Sequence, residues 1–448
     1  MNIKRVLIAN RGEIAVRVIR TCRSLGIETV LASSDADKDA LSARLANQVV
    51  VIGPPPAATY LNIPAIIKAA ADSGAQAVHP GYGFLSEKPE FSAACAENGL
   101  IFIGPKADHI HKMGNKLVAR ALAKELDVPV LPGSERVNSY EDVLSVVKQI
   151  GFPVMLKAAA GGGGRGMKIV EESARDTLKQ AFEEASAEAL TAFGDGSMYV
   201  EKYIARARHI EVQIIGDKFG NVINLGERDC STQRRHQKLI EESPGPLLSG
   251  ELREEIRASA VMLARNIGYE NAGTVEFIFD QNEQKFYFLE MNTRLQVEHP
   301  VTEFVTGVDL VAEQIRVAAG ESLSFNQDDI KIRGHAIECR INAENPAEDF
   351  RPTPGVLSRW EMPQGPGIRV DTHCHHGYKV PFFYDSLLAK VIAYGNDREQ
   401  ARRRMLAALD EFAIEGVSTT ASFLTKVLNT PEFAEGRVST RILEGLTP

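Results

Sequence analysis

Two neighbouring segments in the middle of the chain contain the residue types that a divalent metal ion requires. Glu276 lies in the strand-like run 274–279, and Glu290 and Asn292 follow a second such run, 285–289. Because a short polar loop separates the runs, they predict a hairpin in which Glu276 lies opposite Glu290. Two facing carboxylates repel each other unless a cation lies between them or one is protonated. Carboxylate and amide oxygens are suitable Mg²⁺ ligands, so we predict a metal site here.

The chain beyond this hairpin carries a polar side chain at every second position. Arg294 can bind an anion, Gln296 offers an amide, and Glu298 is a candidate base. We expect all three to continue the same strand, which would hold the metal ligands and the anion-binding groups in line. The alternative is an edge hairpin with solvated charges, and a slip by one residue would separate the two facing carboxylates. Because several polar groups lie in register, we favour a binding site over a solvated hairpin.

A glycine-rich run at 161–166 separates two short runs with strand character. It contains Gly-x-Gly-x-x-Gly, but a strand rather than a helix is predicted after it, which argues against a dinucleotide-binding fold. Ordering consecutive glycines costs backbone entropy, so a purely structural role explains the run poorly. A loop whose amides close over phosphates, with Lys157 adding charge, is the better interpretation.

Further candidates for anion binding come from two other segments. Lys116 lies in the first turn of a predicted helix, where a cation opposes the helix dipole. An exposed lysine is usually solvated, so this residue alone indicates little. Gln233, His236 and Lys238 lie in the charged run 227–238, between predicted sheet elements. A charged run alone usually marks a solvated face, but these residue types suit a polyphosphate and a small anion.

Composition narrows the class of protein. At 448 residues the chain is too long for one hydrophobic core, so about two to three domains are expected. Its 51 basic and 59 acidic residues give a formal net charge of −8, which disfavours nucleic-acid and anionic-membrane partners. Charged residues interrupt the N-terminal segment too early for a signal peptide, and no apolar run reaches bilayer-spanning length. Five scattered cysteines without a Cys-x-x-Cys pair indicate a reducing cytoplasm.

The pattern of apolar residues predicts an α/β and α+β multidomain fold. Alternating strands and helices over 1–112 indicate an open parallel sheet that is covered on both sides. A larger unit over 113–330 contains a smaller one at about 130–203, and a mixed α+β unit follows over 331–448. The histidines and cysteine at 373–376 suggest a metal cluster, but only alternate residues of an extended chain share a face, which is too few ligands for zinc.

Six segments together carry a resemblance to a known family. They are IANRGEIA (8–15), HPGYGFLSE (79–87), GGGGRG (161–166), ERDCS (227–231), RRHQK (234–238) and EMNTRLQVEHP (290–300). With them, the chain resembles the biotin carboxylase component of biotin-dependent carboxylases, members of the ATP-grasp superfamily. One departure is Ala160, where some members carry a further glycine. The resemblance implies an N-terminal biotin carboxylase domain, an ATP-grasp domain whose lid is the smaller unit, and a C-terminal biotin carboxylase domain.

The resemblance also implies a role for each candidate residue. Metal ions, Mg²⁺ or Mn²⁺ and two in number, would lie on Glu276, Glu290 and Asn292. Bicarbonate would be bound by Lys238, Arg294, Gln296 and Val297, with Glu298 as the base, and Arg340 would stabilise the enolate-like oxygen of biotin. The ATP-binding residues would be Lys116, Lys157, Gly163, Gly164, Glu201, Lys202, Tyr203, Ile204, His209, Gln233 and His236, together with Glu276 and Glu290.

The implied reaction is ATP-dependent carboxylation of biotin through carboxyphosphate, the first half-reaction of an acetyl-CoA carboxylase in fatty acid biosynthesis. The chain has no Ala/Val-Met-Lys-Met sequence, so biotin is expected on a separate biotin carboxyl carrier protein. Further implied partners are a second copy of the chain, in a homodimer, and a carboxyltransferase subunit. The alternatives are a component of a pyruvate or other acyl-CoA carboxylase, another ATP-grasp carboxylate–amine ligase, and a catalytically silent nucleotide-binding subunit.

Overall fold

The computed structural model describes residues 3–55, 57–159 and 166–446. Its N-terminal part is an open sheet in which every strand pair is parallel. Alternate residues of the central strand pack into two different hydrophobic cores, Val6 and Ile8 into one and Leu7 into the other, so both faces are covered. The predicted α/β arrangement is confirmed. In spatial order, the strands are Gln48–Gly53, Glu28–Ser34, Arg5–Ile8, Ala77–His79 and Ile101–Phe102.

The helices of this part connect the parallel strands. The first, Gly12–Ser24, begins a few residues after the central strand and buries Ile14 and Val18. The turn before it therefore lies at the carboxyl edge of the sheet, where open α/β sheets place ligands. The other helices are Leu41–Leu45, Ile63–Asp72, Pro89–Glu97 and Ala107–Gly114, with 3₁₀ turns at Asp35–Asp37 and Ala57–Leu61.

A small antiparallel sheet forms a unit with its own hydrophobic core. The predicted glycine loop connects its strands Val154–Ala158 and Met167–Val170, which pair antiparallel, so the predicted strand-loop-strand context is confirmed. Gly163 and Gly164 themselves lie outside the described residues. The third strand is Met198–Lys202, and the flanking helices are Tyr140–Ile150 and Leu178–Phe193, the last preceded by the 3₁₀ turn Glu172–Thr177. The helix Lys116–Glu125 comes before this unit and packs against the strand Lys285–Asn292 instead.

The central sheet has eight strands, and all of its neighbouring pairs are antiparallel. It runs without interruption from strands before residue 331 to strands after it, so the predicted second and third units share one sheet. The domain boundaries stay a prediction. In spatial order, the strands are Lys285–Asn292, Asn271–Asp280, Ala207–Gly216, Val222–Arg234, Gln237–Ser243, His335–Asn342, Leu387–Gly395 and Ile368–Thr372.

Helices and three short strand pairs surround the central sheet. The helices are Gly250–Asn266, His299–Thr306, Leu310–Ala318, Arg398–Glu411, Ala421–Leu428 and Pro431–Ala434, with 3₁₀ turns at Gln327–Asp329 and Pro346–Glu348. The short pairs are Glu344–Asn345 with Arg351–Pro352, Gly355–Val356 with Lys379–Val380, and Arg359–Glu361 with Ala413–Glu415. Within the part of the chain that the structure describes, no helix combines the length and the apolar character needed to cross a membrane.

Candidate active site

The carboxylate hairpin forms in the predicted register. Glu276 pairs with Glu290 across the strands Asn271–Asp280 and Lys285–Asn292, and a turn at 281–284 joins them. On its other side Glu276 pairs with Glu211, so three carboxylates form one cross-strand row. Like charges directly opposite each other are destabilising, so such a row requires cations beside it.

The expectation of one continuous strand through Glu298 is wrong. The strand ends at Asn292, residues 293–298 are irregular, and the next helix begins at His299 with Pro300 in its first turn. Proline has no backbone N–H and fits the first turn of a helix, so it fixes a helix start here rather than a strand. The predicted alternation of side chains along a strand therefore does not apply to residues 293–298.

One cleft of about 1010 Å³ gathers the predicted site residues from the helix Lys116–Glu125, the small sheet, the central sheet and the segments next to them. It lies between the N-terminal sheet, the small sheet and the central sheet. Apart from Gly163 and Gly164, every residue proposed from the sequence lines it: Lys116, Lys157, Glu201, Lys202, Tyr203, Ile204, His209, Gln233, His236, Lys238, Glu276, Glu290, Asn292, Arg294, Gln296, Val297, Glu298 and Arg340.

Lys238 is the centre of a group of buried charges. Its Nζ donates hydrogen bonds to Glu211 at 2.6 Å, to Glu276 at 2.9 Å and to Glu298 at 2.7 Å. Burial alone would lower the pKa of this lysine, but the three carboxylates raise it well above its ordinary value. Lys238 therefore stays charged and neutralises part of the carboxylate row.

Glu298 is held between two cations. Its Oε2 accepts a hydrogen bond from Arg340 Nη2 at 2.8 Å, while its Oε1 faces Lys238. Burial would raise the pKa of Glu298, but Lys238 and Arg340 hold it well below the ordinary value. Arg340 Nε also donates to Glu241 at 2.6 Å, which fixes the guanidinium beside Glu298. We call Glu211, Lys238, Glu241, Glu298 and Arg340 the buried cluster.

The metal-binding candidates are also paired with cations. His209 Nε2 lies 2.9 Å from Glu276 Oε2, and the Asn292 amide donates to Glu276 Oε1 at 2.9 Å. Burial would raise the pKa of Glu276, but Lys238 and His209 lower it. Glu290 pairs with Lys116 at 3.3 Å, where the two side chains are 33% and 42% exposed. We call Lys116 and Glu290 the outer pair.

The candidates on the small sheet form a second ionic group. Lys157 Nζ donates to Glu201 at 2.6 Å, and Arg120 also donates to this carboxylate. Burial would raise the pKa of Glu201, but Lys157 and Arg120 lower it. Lys202 Nζ donates to the carbonyl oxygens of Gly151, at 3.3 Å, and Phe152. The Lys157 ammonium is thus held at the cleft by a carboxylate that a phosphate could replace.

Arg294 lies among groups from two parts of the chain. Its Nη1 donates to Gln296 Oε1 at 3.0 Å and its Nη2 to Asn292 Oδ1 at 3.2 Å. Its Nε lies 2.9 Å from Glu87 Oε2, in the loop after the strand Ala77–His79. The irregular segment 293–298 is therefore tied to the N-terminal sheet.

Sequence reasoning missed several residues that contact the candidates. Glu211 and Glu241 are fully buried partners of Lys238 and Arg340. A signal for Glu211 was present in the sequence. The run 209–214 alternates polar with apolar residues, so Glu211 shares a strand face with His209. Glu241 gave no such signal, since it contacts Arg340 only through the pairing of Gln237–Ser243 with His335–Asn342.

The histidines at 373–376 do not converge in the structure. The His373 ring is buried against Tyr378, with ring centroids 5.2 Å apart, whereas His375 Nδ1 lies 2.7 Å from the carbonyl oxygen of His376. Burial lowers the pKa of His373 to about 3. This cluster keeps no assigned role.

Comparison with protein families assigns successive parts of the chain. Residues 2–110 match the family described as biotin carboxylase, N-terminal domain, and 338–445 match the biotin carboxylase C-terminal domain. Residues 115–326 match the family described as carbamoyl-phosphate synthase L chain, ATP binding domain.

Full-length relatives decide the assignment. "Biotin carboxylase 1" of Bacillus subtilis is 51% identical over 444 residues, which cover 99% of this chain and 98% of that protein. The chain belongs to the biotin carboxylase family. It is therefore an ATP-dependent ligase, as the sequence predicted. A relative from Methanothermobacter thermautotrophicus that is named as one subunit of pyruvate carboxylase is also 51% identical, over 98% of this chain and 89% of that protein.

Solved structures of biotin carboxylases share the fold. A complex of the Campylobacter jejuni biotin carboxylase with β-γ-ATP has a TM-score of 0.95 at 48% identity, covering 99% of this chain and 98% of that chain. The biotin carboxylase domain dimer of Hydrogenobacter thermophilus 2-oxoglutarate carboxylase, in complex with MgADP, ADP and bicarbonate, has a TM-score of 0.94 at 48% identity. It covers 99% of this chain and 97% of that chain.

Proposed function

We propose that this biotin carboxylase uses ATP to join bicarbonate to biotin through carboxyphosphate, and that the cleft divides this work between two groups of residues. The observation that carries the proposal is the position of Glu298. It is an ionised carboxylate between Lys238 and Arg340, in the same cleft as the Glu276–Glu290 hairpin. A base beside anion-binding cations and metal-ligand oxygens fits the phosphorylation of bicarbonate.

The nucleotide group would lie on the small sheet and the hairpin. Glu276 and Glu290 face each other in register, Glu276 has its pKa lowered, and cations now pair with both. These groups therefore fit a divalent cation such as Mg²⁺ or Mn²⁺, with Asn292 adding an amide oxygen. Bound there, the metal supplies charge neutralisation for the phosphate oxygens. Lys116 and Lys157 would exchange their carboxylate partners for phosphates of ATP.

The remaining nucleotide contacts would come from the edges of the cleft. Glu201, Lys202, Tyr203 and Ile204 form a continuous segment at the end of the strand Met198–Lys202, and this segment lines the cleft. His209, Gln233 and His236 line the same cleft from the central sheet. Gly163 and Gly164 are proposed to donate backbone amides to phosphates.

The bicarbonate group would be the buried cluster together with Arg294, Gln296 and Val297. Lys238 and Arg294 would bind the anion, and Glu298 would remove its proton. The developing negative charge would be stabilised by these two cations, whose contacts with Glu298 and Gln296 hold them in place before the substrate arrives. The deprotonated oxygen then attacks the γ-phosphate to give carboxyphosphate and ADP. Carboxyphosphate would then release CO₂ and phosphate, and the phosphate would take the proton of the ureido nitrogen of biotin. Arg340, fixed by Glu241, would stabilise the resulting negative oxygen of biotin while its nitrogen bonds to CO₂.

Partners and location complete the proposal. Biotin would arrive on a biotin carboxyl carrier protein, a carboxyltransferase subunit would use the product, and two copies of the chain would form a homodimer in the cytoplasm. We propose acetyl-CoA as the final acceptor, as the family resemblance implies. The Methanothermobacter thermautotrophicus relative, named for pyruvate carboxylase, supports pyruvate as the second choice.

The test measures ATP hydrolysis by the purified chain with and without bicarbonate and free biotin. We expect that hydrolysis requires bicarbonate and that biotin accelerates it, with carboxybiotin detected as the product. Hydrolysis indifferent to both compounds, or turnover that depends on an amine instead of biotin, would contradict the proposal. Identification of the carrier protein that co-purifies with the chain then decides between the acceptors.

A further inference from the structure

We propose that Lys390 is a positioning residue that sets the backbone turn carrying Glu298, and that Glu13 keeps the Lys390 ammonium charged and aimed at this turn. The proposal rests on the assignment of Glu298 as the base, and neither Lys390 nor Glu13 touches bicarbonate in it. Instead, they hold the peptide that presents the base.

The contacts of Lys390 are unusual for a lysine. The side chain is fully buried, and its Nζ donates a hydrogen bond of 2.6 Å to the carbonyl oxygen of Val297. The same Nζ lies 3.1 Å from Glu13 Oε1. Lysine is rarely buried without a partner, because removing an ammonium from water is costly. Here the Glu13 carboxylate and one backbone carbonyl contact the ammonium directly.

The sheet around Lys390 contains charges of both signs. Lys390 pairs directly with Arg340 on one neighbouring strand and with Asp371 on the other, so one contact is repulsive and the other favourable. Replacing a buried ion pair by apolar residues of similar volume is often neutral or stabilising. Stability alone therefore does not explain a lysine here, whereas a contact with the turn before the base does.

Glu13 brings the N-terminal sheet into this arrangement. It lies in the first turn of the helix Gly12–Ser24 and is fully buried. The Tyr82 hydroxyl donates a hydrogen bond to Glu13 Oε1, the same oxygen that faces Lys390. Glu13 thus receives two donors and fixes the direction of the Lys390 ammonium. Through these contacts the carboxyl edge of the parallel sheet supports the turn at Val297.

The turn needs such support because no strand holds it. The strand ends at Asn292, and the helix starts only at His299, so Val297 and Glu298 lie in an irregular connection. The Val297 carbonyl belongs to the peptide that also carries the Glu298 N–H. A hydrogen bond from Lys390 fixes the plane of this peptide and hence the direction in which the Glu298 side chain leaves the backbone.

The test compares Lys390→Met, Glu13→Gln and Lys390→Arg in bicarbonate- and biotin-dependent ATP hydrolysis. We expect Lys390→Met to lower kcat/KM for bicarbonate by about 100-fold, because a small displacement of the base removes much of its contribution. The KM for ATP should stay within about twofold, since the nucleotide residues are untouched. Lys390→Arg keeps a charged donor and should recover activity to within about tenfold of the original protein.

A matched control separates positioning from general stability. Glu242 is a buried glutamate of the same sheet, paired with His335 and Arg398, and it lies outside the cleft. Glu242→Gln should lower the thermal midpoint without changing the KM for bicarbonate. If Lys390→Met alone does not fold, the double variant Lys390→Met/Glu13→Gln removes both buried charges together and should show the same loss in kcat/KM for bicarbonate.

The outcomes distinguish this proposal from the proposed function. If the original chain hydrolyses ATP without regard to bicarbonate or biotin, the proposed function fails, and the positioning role fails with it. If the original chain requires both compounds but Lys390→Met and the double variant keep an unchanged kcat/KM for bicarbonate, only the positioning role is overturned. A rise in the KM for ATP well beyond twofold, together with no rescue by Lys390→Arg, indicates a merely structural lysine and also overturns it.

Discussion

The buried cluster and the outer pair hold their charges in opposite ways. In the buried cluster, Lys238 and Glu298 are 12% and 1% exposed and each has more than one ionic partner. In the outer pair, Lys116 and Glu290 are 42% and 33% exposed and lie 3.3 Å apart. The first group is held in place by the fold, whereas the second is exposed enough to exchange partners. If the proposed roles are correct, the base depends on fixed geometry and nucleotide binding depends on charges that can be released.

Removing the base should have the largest effect. We expect Glu298→Gln to lower kcat by about 1000-fold, within the range of general-base contributions. The amide keeps the size of the side chain but cannot accept the proton of bicarbonate. Steady-state ATP hydrolysis in the presence of bicarbonate and biotin measures this loss, and circular dichroism checks that the variant is folded. A folded Glu298→Gln variant with undiminished turnover would assign the base elsewhere.

Breaking the outer pair should have a smaller and different effect. Lys116→Met removes one cation that we propose to bind phosphate, and we expect the KM for ATP to rise about tenfold while kcat changes little. Because the pair is partly exposed, the free energy of unfolding should change by less than about 1 kcal/mol. Kinetics at varied ATP and urea titration measure both quantities. A large loss of stability or a raised KM for bicarbonate would show that the two groups are not separate.

A buried ion pair outside the cleft should affect stability and leave catalysis unchanged. Arg398 and His335 overcome the effect of burial and hold the pKa of Glu242 at about 2, below its ordinary 4.5. A carboxyl group whose pKa is depressed in the folded protein stabilises the fold at pH values above its ordinary pKa. This contribution is lost as the pH falls from about 4.5 towards 2. Glu242→Gln should therefore lower the free energy of unfolding by about 3 kcal/mol near neutral pH, and by progressively less below pH 4.5. Denaturant titrations at several pH values test this, and a pH-independent difference would contradict it.

The carboxylate hairpin was predictable because its signals are local. Two apolar runs, a short polar loop and alternating side chains determine which residues face each other, and Glu276 does pair with Glu290. The parallel N-terminal sheet was predictable for a similar reason, since strands and helices alternate along the chain. The family resemblance then supplied the candidate roles, which the local pattern alone did not contain.

The segment after the hairpin was not predictable from alternation. A polar residue at every second position suggested a strand through Glu298, but Pro300 sets a helix start that ends the extended chain earlier. Glu241 and Lys390 were missed because their partners are distant in sequence. Arg340 meets Glu241 and Lys390 only because the strands Gln237–Ser243 and Leu387–Gly395 flank His335–Asn342. No local pattern specifies which remote strand will be a neighbour.

The continuity of the central sheet across residue 331 has a consequence for dissecting the chain. A fragment that stopped before this residue would lose the strand His335–Asn342 and leave the backbone of Gln237–Ser243 without its partner. An open edge of this kind can recruit strands from other molecules, so such a fragment should aggregate on expression. Sedimentation would measure the aggregation of a fragment that ends before residue 331 and compare it with that of a longer fragment that includes Ile368–Thr372. If such fragments aggregate, the part of the chain that we propose to bind the nucleotide is not an excisable module.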